Sequence, residues 1–209
     1  MTAPSHAMFE PSKGRRISRR DQFLSIAADL FADRGFAGVT VEQIGAAAGV
    51  SGPAIYHHFD SKEALLGEML IRVSESILSQ ARELVQLSDD PTQQLRGLVA
   101  KGVEFAVDNT SLLTVHTRDL VHARKGDRGR IRELQNMVID LWVDVLAAQE
   151  AAPPDERLAR TAVHSVLGLI NSTPFSARLR REEVVPLLES MAWGALQAVL
   201  DSDSVGVRG

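Results

Sequence analysis

The chain contains no cysteine, which excludes disulfides, thiolate metal sites and cysteine nucleophiles and fits a reducing compartment. It has one tyrosine and two tryptophans, and no apolar run near the ~20 residues that span a bilayer. The N-terminus, MTAPSHAMFEPSKGRRISRR, is basic but leads into no apolar stretch, so it does not read as a signal peptide. A Gly-rich phosphate loop, a nucleophile elbow and a paired-carboxylate arrangement are also missing, which argues against an enzyme and calls for no cofactor. His116, His122 and His164 show no ligand spacing, so no metal site is expected. With 44% hydrophobic and 24% charged residues, the expectation is a soluble, cytoplasmic, folded protein without a membrane partner.

A net charge of −4 would ordinarily argue against nucleic acid, but its distribution is uneven. Residues 1–20 hold Lys13, Arg15, Arg16, Arg19 and Arg20 against Glu10 alone. Residues 118–132 hold Arg118, Arg124, Lys125, Arg128, Arg130 and Arg132 against Asp119 and Asp127. Two basic islands in an acidic chain require separate explanations.

The apolar spacing is helical throughout. Ser18 opens a first helix whose Phe23, Ile26, Ala27, Leu30 and Phe31 share one face, and Gly35 ends it in a left-handed conformation. Thr40 with Gln43 forms a capping box, and Val39 with Ile44 forms a hydrophobic staple. Gly49 stops that helix. Ser51 caps the next, with Pro53 in its first turn, and it ends near Phe59. Asp60 with Glu63 reads as another capping box, opening a long helix through Leu65, Met69, Val73, Ile77 and Leu84. Two short helices joined by a three-residue turn containing glycine form a helix-turn-helix pattern, which presents the second helix to a DNA major groove, although a generic helical hairpin has the same spacing.

Residues 40–66, TVEQIGAAAGVSGPAIYHHFDSKEALL, resemble the DNA-binding signature of the TetR/AcrR family at Thr40, Ile44, Ala47, Gly49, Val50, Ser51, Gly52, Tyr56, His58, Phe59, Lys62, Leu65 and Leu66. Residues 27–36 match that family's first helix. The resemblance implies an all-α fold: a flexible basic arm over 1–17, a three-helix DNA-binding domain with a helix-turn-helix over 18–66, and a helical ligand-binding and dimerisation domain over 67–209. It further implies a homodimeric repressor that binds a palindromic double-stranded DNA operator and is released by a small-molecule effector. The residues carried over as DNA contacts are Thr40, Ser51, Gly52, Pro53, Ala54, Tyr56, His57 and Lys62. Gly52, Pro53 and Ala54 lack side-chain donors, so they offer shape and apolar contact with a thymine methyl, leaving specificity to Tyr56, His57 and DNA shape. Lys62 opposes the dipole at its helix start, which a phosphate would explain; a solvated lysine is the alternative. The arm from Lys13 to Arg20 either attracts phosphates or is a solvated tail.

Past residue 67 the helical stretches fall at about 92–107, 110–124, 128–149, 155–172 and 184–201, with Pro153-Pro154 and Pro174 between them and Pro186 in the first turn of the last. The last two are apolar almost all round, and the resemblance implies that they pair with their copies in a second subunit through Leu167, Met191, Ala195 and Leu196. Phe105, His116, Trp142 and His164 are candidate linings of an effector cavity, with plain core packing the alternative. The second basic island flanks a helix break near Gly126 and Gly129. With Arg118 and Arg128 as anion contacts, it would suit the phosphorylated head of an acyl-CoA; a solvated, salt-bridged face is the other reading.

Overall fold

The structure, a computed structural model, describes residues 18–149, 155–176 and 179–202. The arm over residues 1–17 and Pro153-Pro154 lie outside them. Among the described residues the secondary structure is entirely helical, as the apolar spacing predicts.

Helix α1 (Arg19–Arg34) starts where the Ser18 hydroxyl accepts the Asp21 N–H, and ends where the Gly35 N–H returns to the Phe31 carbonyl. Gly35 has φ 76° and ψ 155°, a region essentially reserved for glycine, rather than the ordinary left-handed helical conformation. Helix α2 (Val41–Ala47) carries the expected capping box: the Thr40 hydroxyl accepts from the Gln43 N–H at 3.3 Å, and Gln43 Oε1 accepts from the Thr40 N–H at 2.9 Å. Helix α3 (Gly52–Tyr56) is shorter than predicted, and Ser51 has extended cap geometry but no side-chain capping bond. Helix α4 (Lys62–Gln86) is capped by Ser61, whose hydroxyl accepts the Ala64 N–H at 3.2 Å, not by Asp60. Asp60 instead faces Arg124 at 3.4 Å.

Helices α5 (Pro91–Asp108) and α6 (Thr110–Asp119) follow, then a single 3-10 turn, Leu120–His122. Helix α7 (Lys125–Ala147) begins earlier than predicted, so Gly126 and Gly129 lie inside its first turns; the break falls at Ala123, which is extended. Helix α8 (Glu156–Asn171) is capped by Asp155 and is followed by the short α9 (Thr173–Ser176), which contains Pro174. Helix α10 (Arg181–Ser202) also begins early, because Glu183 accepts from the Arg180 N–H at 3.1 Å, and this leaves Pro186 inside the helix rather than in its first turn.

The contacts divide the chain into two compact units. One comprises Met1–Glu75 and Asp108–Glu133, so residues 108–133 group with the helix-turn-helix, not with the C-terminal region to which the sequence division assigns them. Its core is Phe23, Leu24, Phe31, Ile44, Ile55, Leu65, Leu66 and Met69, all almost fully buried, with α6 packed along α1. A single Phe→Ala change in such a core costs about 3–5 kcal/mol. The other unit comprises Ser76–Val107 and Leu134–Gly209. There α8 packs on α10, and a Cβ at Gly102 of α5 would lie 3.6 Å from both Trp142 of α7 and Ile170 of α8. Arg96 of α5 lies 4.0 Å over the Trp193 ring of α10.

Candidate nucleic-acid interface

Helices α2 and α3 meet almost backbone to backbone. A Cβ on Gly45 would lie 3.0 Å from the Gly52 nitrogen, and one on Gly52 would lie 3.1 Å from Cγ of Glu42. The turn between them passes through Gly49 at φ 70° and is tied by the Val50 N–H to the Gly45 carbonyl at 2.9 Å. Ile44 and Ile55 fill the inner side, so the outer side of α3 is determined by exclusion. Pro53, Tyr56 and His57 are exposed, Ala54 is half-buried and Gly52 is buried. Tyr56 keeps 53% of its surface open, unusual for a large ring with no core role to explain it. Thr40 and Ser51 sit exposed at the starts of α2 and α3. The eight residues expected to contact DNA thus come together within the helix-turn-helix and the start of α4, most of them open to solvent.

Sequence reasoning missed an acid on this surface. Glu42 is exposed in the first turn of α2, and its own backbone N–H and the Thr40 hydroxyl hold its carboxyl below the usual range. The signal was available: an acid at the third residue of TVEQ favours a helix N-terminus.

Lys62 is engaged in a way the sequence does not reveal. Its Nζ donates to the Phe36 and Val39 carbonyls, each at 2.7 Å, and lies 4.1 Å over the Phe36 ring. It therefore ties the α1–α2 turn to the start of α4, with one of its three donors left. His58 packs edge-on to Phe23 at 5.1 Å.

Behind α3 lies an ion network. Arg20 Nε donates to Glu68 at 2.6 Å, with a second, parallel bond to the same carboxylate, and the guanidinium also reaches the His58 carbonyl and lies 4.4 Å over the Phe59 ring. Arg72 links Glu68, at 2.7 Å, to Asp21. Burial alone would push the Glu68 carboxyl up; the Arg20 hydrogen bond and the charges of Arg20 and Arg72 outweigh it and hold it low. Asp21 is held low in the same balance, through Ser18 and Arg72. Arg20 is accordingly a fixed part of the unit rather than the end of a phosphate-seeking arm, and only the i,i+4 pair Glu68–Arg72 was visible in sequence.

Four arginines of the second basic island make contacts inside their own unit. Arg118 donates to the Phe31 and Ala32 carbonyls at the end of α1 and to Asp119 at 3.1 Å. Arg124 contacts Asp60 and Ser61, Arg128 donates to the Val121 carbonyl at 3.1 Å and to that of Ala123, and Arg130 pairs with Glu75 and Glu133. These are helix-end and surface ion contacts within the unit that holds the helix-turn-helix. The other ligand candidates disperse: His116 lies in α6 of that unit, where burial pushes its imidazole pKa down. Phe105 is half-buried, Trp142 buried and His164 exposed in the second unit. Of the interface candidates, Met191 and Ala195 are exposed and Leu167 half-buried, but Leu196 is a fully buried core residue.

Residues 23–69 match the family described as "Bacterial regulatory proteins, tetR family". Over 134 residues the chain is 34% identical to the HTH-type transcriptional repressor KstR2 of Rhodococcus jostii, covering 64% of this chain and 66% of that repressor, just under two thirds of its length. A TetR-family transcriptional regulator from Bordetella parapertussis has the same fold, with TM-score 0.73 and 25% identity over 87% of this chain and 94% of that one. The transcriptional regulator FadR from Bacillus subtilis, in complex with stearoyl-CoA, is similar in fold alone, with TM-score 0.69 and 17% identity over 85% of this chain and 96% of that one. No helix among the described residues is long and apolar enough to cross a membrane.

Proposed function

The chain belongs to the TetR family of bacterial regulatory proteins, and on that premise we propose that it is a homodimeric transcriptional repressor that binds a palindromic operator and releases it when a small molecule binds. The observation that carries this reading is the backbone-close pair α2–α3, whose outer face leaves Pro53, Tyr56 and His57 open. Pro53 and Ala54 supply apolar contact with a thymine methyl, and the closeness of Gly52 to Glu42 lets α3 start against α2. The Tyr56 hydroxyl, the Ser51 and Thr40 hydroxyls and the remaining donor of Lys62 bind phosphates. His57 contacts a phosphate or a base.

The second copy covers α8 and α10. Leu158, Leu187 and Met191 are exposed there, and Gly168, Gly194 and Ala195 lie beside them on outward faces that carry no charge at these positions. Exposed apolar surface of this kind marks an interface.

For the effector, the FadR–stearoyl-CoA complex favours an acyl-CoA thioester, with Phe105 and Trp142 kept as the candidate apolar contacts. Arg118 and Arg128 are withdrawn as its head-group contacts, because helix ends and turns already engage them. The test begins by selecting duplexes from a random-sequence library and then titrates acyl-CoAs of several chain lengths into the complex. Enrichment of a pseudo-palindrome with half-sites about one helical turn apart, and release by a thioester, is the expected outcome. Release only by an uncharged lipophile would replace the thioester, and no release by either would make the protein a ligand-blind DNA-binding protein.

A further inference from the structure

Arg19 and Arg20 are consecutive arginines at the start of α1, yet the structure treats them differently. Arg19 is exposed, hydrogen-bonded at 2.7 Å to Gln22 one turn along its own helix. Arg20 turns inward to three other places. Its fork grips the Glu68 carboxylate of α4, one N–H reaches the His58 carbonyl just beyond the end of α3, and its plane covers the Phe59 ring. His58 lies in the turn that follows α3, so this bond ties that turn directly to the start of α1. A forked, planar guanidinium fixes direction as well as distance, which a lysine would not. Arg72, between Glu68 and Asp21, holds the same carboxylate from its other side.

We propose that Arg20 is a positioning residue for DNA reading: through Glu68 and the His58 carbonyl it sets the orientation of α3 relative to α1 and α4 without touching DNA. This rests on the DNA-binding reading above. A recognition helix of five residues, with no side-chain donor at its first three positions, depends on placement, because those three positions offer bases only shape and apolar surface. A cation that positions the helix and one that binds a phosphate predict different salt behaviour. Removing a phosphate contact weakens binding to every sequence and lowers the salt slope by about one. Removing a positioning contact weakens the specific complex and leaves the slope alone.

The experiment uses the full chain and the duplex enriched from the random library, beside a scrambled duplex of equal length, over a range of salt. R20Q lowers affinity for the selected duplex roughly tenfold or more, the scale of one lost charge-assisted hydrogen bond, with scrambled-duplex affinity and salt slope as in wild type. R19Q weakens both duplexes alike and lowers the slope. E68Q is the decisive variant, since it removes an acid from a DNA-binding unit yet leaves the side-chain shape. Electrostatics alone predicts tighter binding to both duplexes; positioning predicts weaker binding to the selected one only. A tighter E68Q, a lowered slope for R20Q, or an R20Q affinity equal to wild type each overturns the proposal. Thermal unfolding of each variant identifies any that fails to fold, and E68Q then decides alone. A wild type that enriches no sequence overturns the DNA-binding reading itself, and this inference with it.

Discussion

Lys62 holds two carbonyls and an aromatic ring with a single ammonium, at a helix start where a cation is electrostatically misplaced. Lys62→Ala leaves the Phe36 and Val39 carbonyls without that donor, and about 1–2 kcal/mol of stability should be lost after allowance for its partial exposure. If its third donor also meets a phosphate, the same variant lowers the salt slope of DNA binding by about one. A fall in melting temperature with an unchanged slope would reduce Lys62 to a structural tie. His116 gives a prediction in pH. Burial depresses its pKa below the ordinary value of 6.5, so the unfolded chain takes up a proton that the folded chain resists. Its neutral form therefore supports the fold above pH 6.5, and stability falls as the pH drops from there towards the folded pKa. Between pH 7.5 and 5.5 the wild type should lose melting temperature by more than His116→Gln does; equal losses would remove His116 as the cause. Little of this was legible in sequence. A cap three residues from its partner, such as Thr40 with Gln43, is a local pattern, whereas Arg118 reaches the Phe31 carbonyl across a separation in sequence that no local rule spans.

Helix boundaries were legible where a single residue type decides them and not where two compete. Ser18 and Thr40 cap as the sequence says, and Gly35 ends α1 where expected, though with ψ 155° instead of the left-handed helical value. At Asp60-Ser61 both residues are good caps, and the pairing of Asp60 with Arg124 leaves the N-cap to Ser61. Gly126 and Gly129 look like breakers, but glycine in a helix costs only about 1 kcal/mol, and the helix runs through both. Gly35 is different, because its φ of 76° with ψ of 155° penalises any side chain even though the atoms nearest its Cβ position, those of the Arg118 guanidinium, are 3.9 Å away. Gly35→Ala should therefore cost on the order of 1–3 kcal/mol through backbone strain alone. Urea unfolding should show a lower midpoint with an unchanged slope, and an unchanged midpoint would mean that the turn relaxes freely.

At the scale of the whole molecule, apolar spacing marked α8 and α10 as buried from several sides but did not say which residues face their own chain and which face a second copy. Exposure separates the residues that face their own chain from those left open. Leu196 is fully enclosed in its own unit, whereas Met191, Gly194 and Ala195 lie on the outward face of α10, and among the described residues no atom beyond their own stretch of helix lies within 4 Å of the Cβ positions at Gly194 and Gly168. Small residues on such faces let partner helices approach closely, and a stable dimer needs a total of about 1,200 Å² or more to be covered. A charge at Leu196 is buried in the chain itself, whereas one at Ala195 is buried only when a second copy covers α10. Leu196→Asp places an unpaired carboxylate in the core of the second unit and should lower its unfolding temperature sharply whether or not the dimer forms. Ala195→Asp leaves that core untouched and meets its own copy across the two-fold, or residues near it, so the folded chain should persist while the dimer splits. Sedimentation velocity at micromolar concentration should then show a dimer for wild type and a folded monomer for Ala195→Asp, with operator binding weakened because the two half-sites are no longer bound by one particle. A dimer undisturbed by Ala195→Asp would move the interface away from α10, and a monomeric wild type would remove the second copy as the cover for these faces.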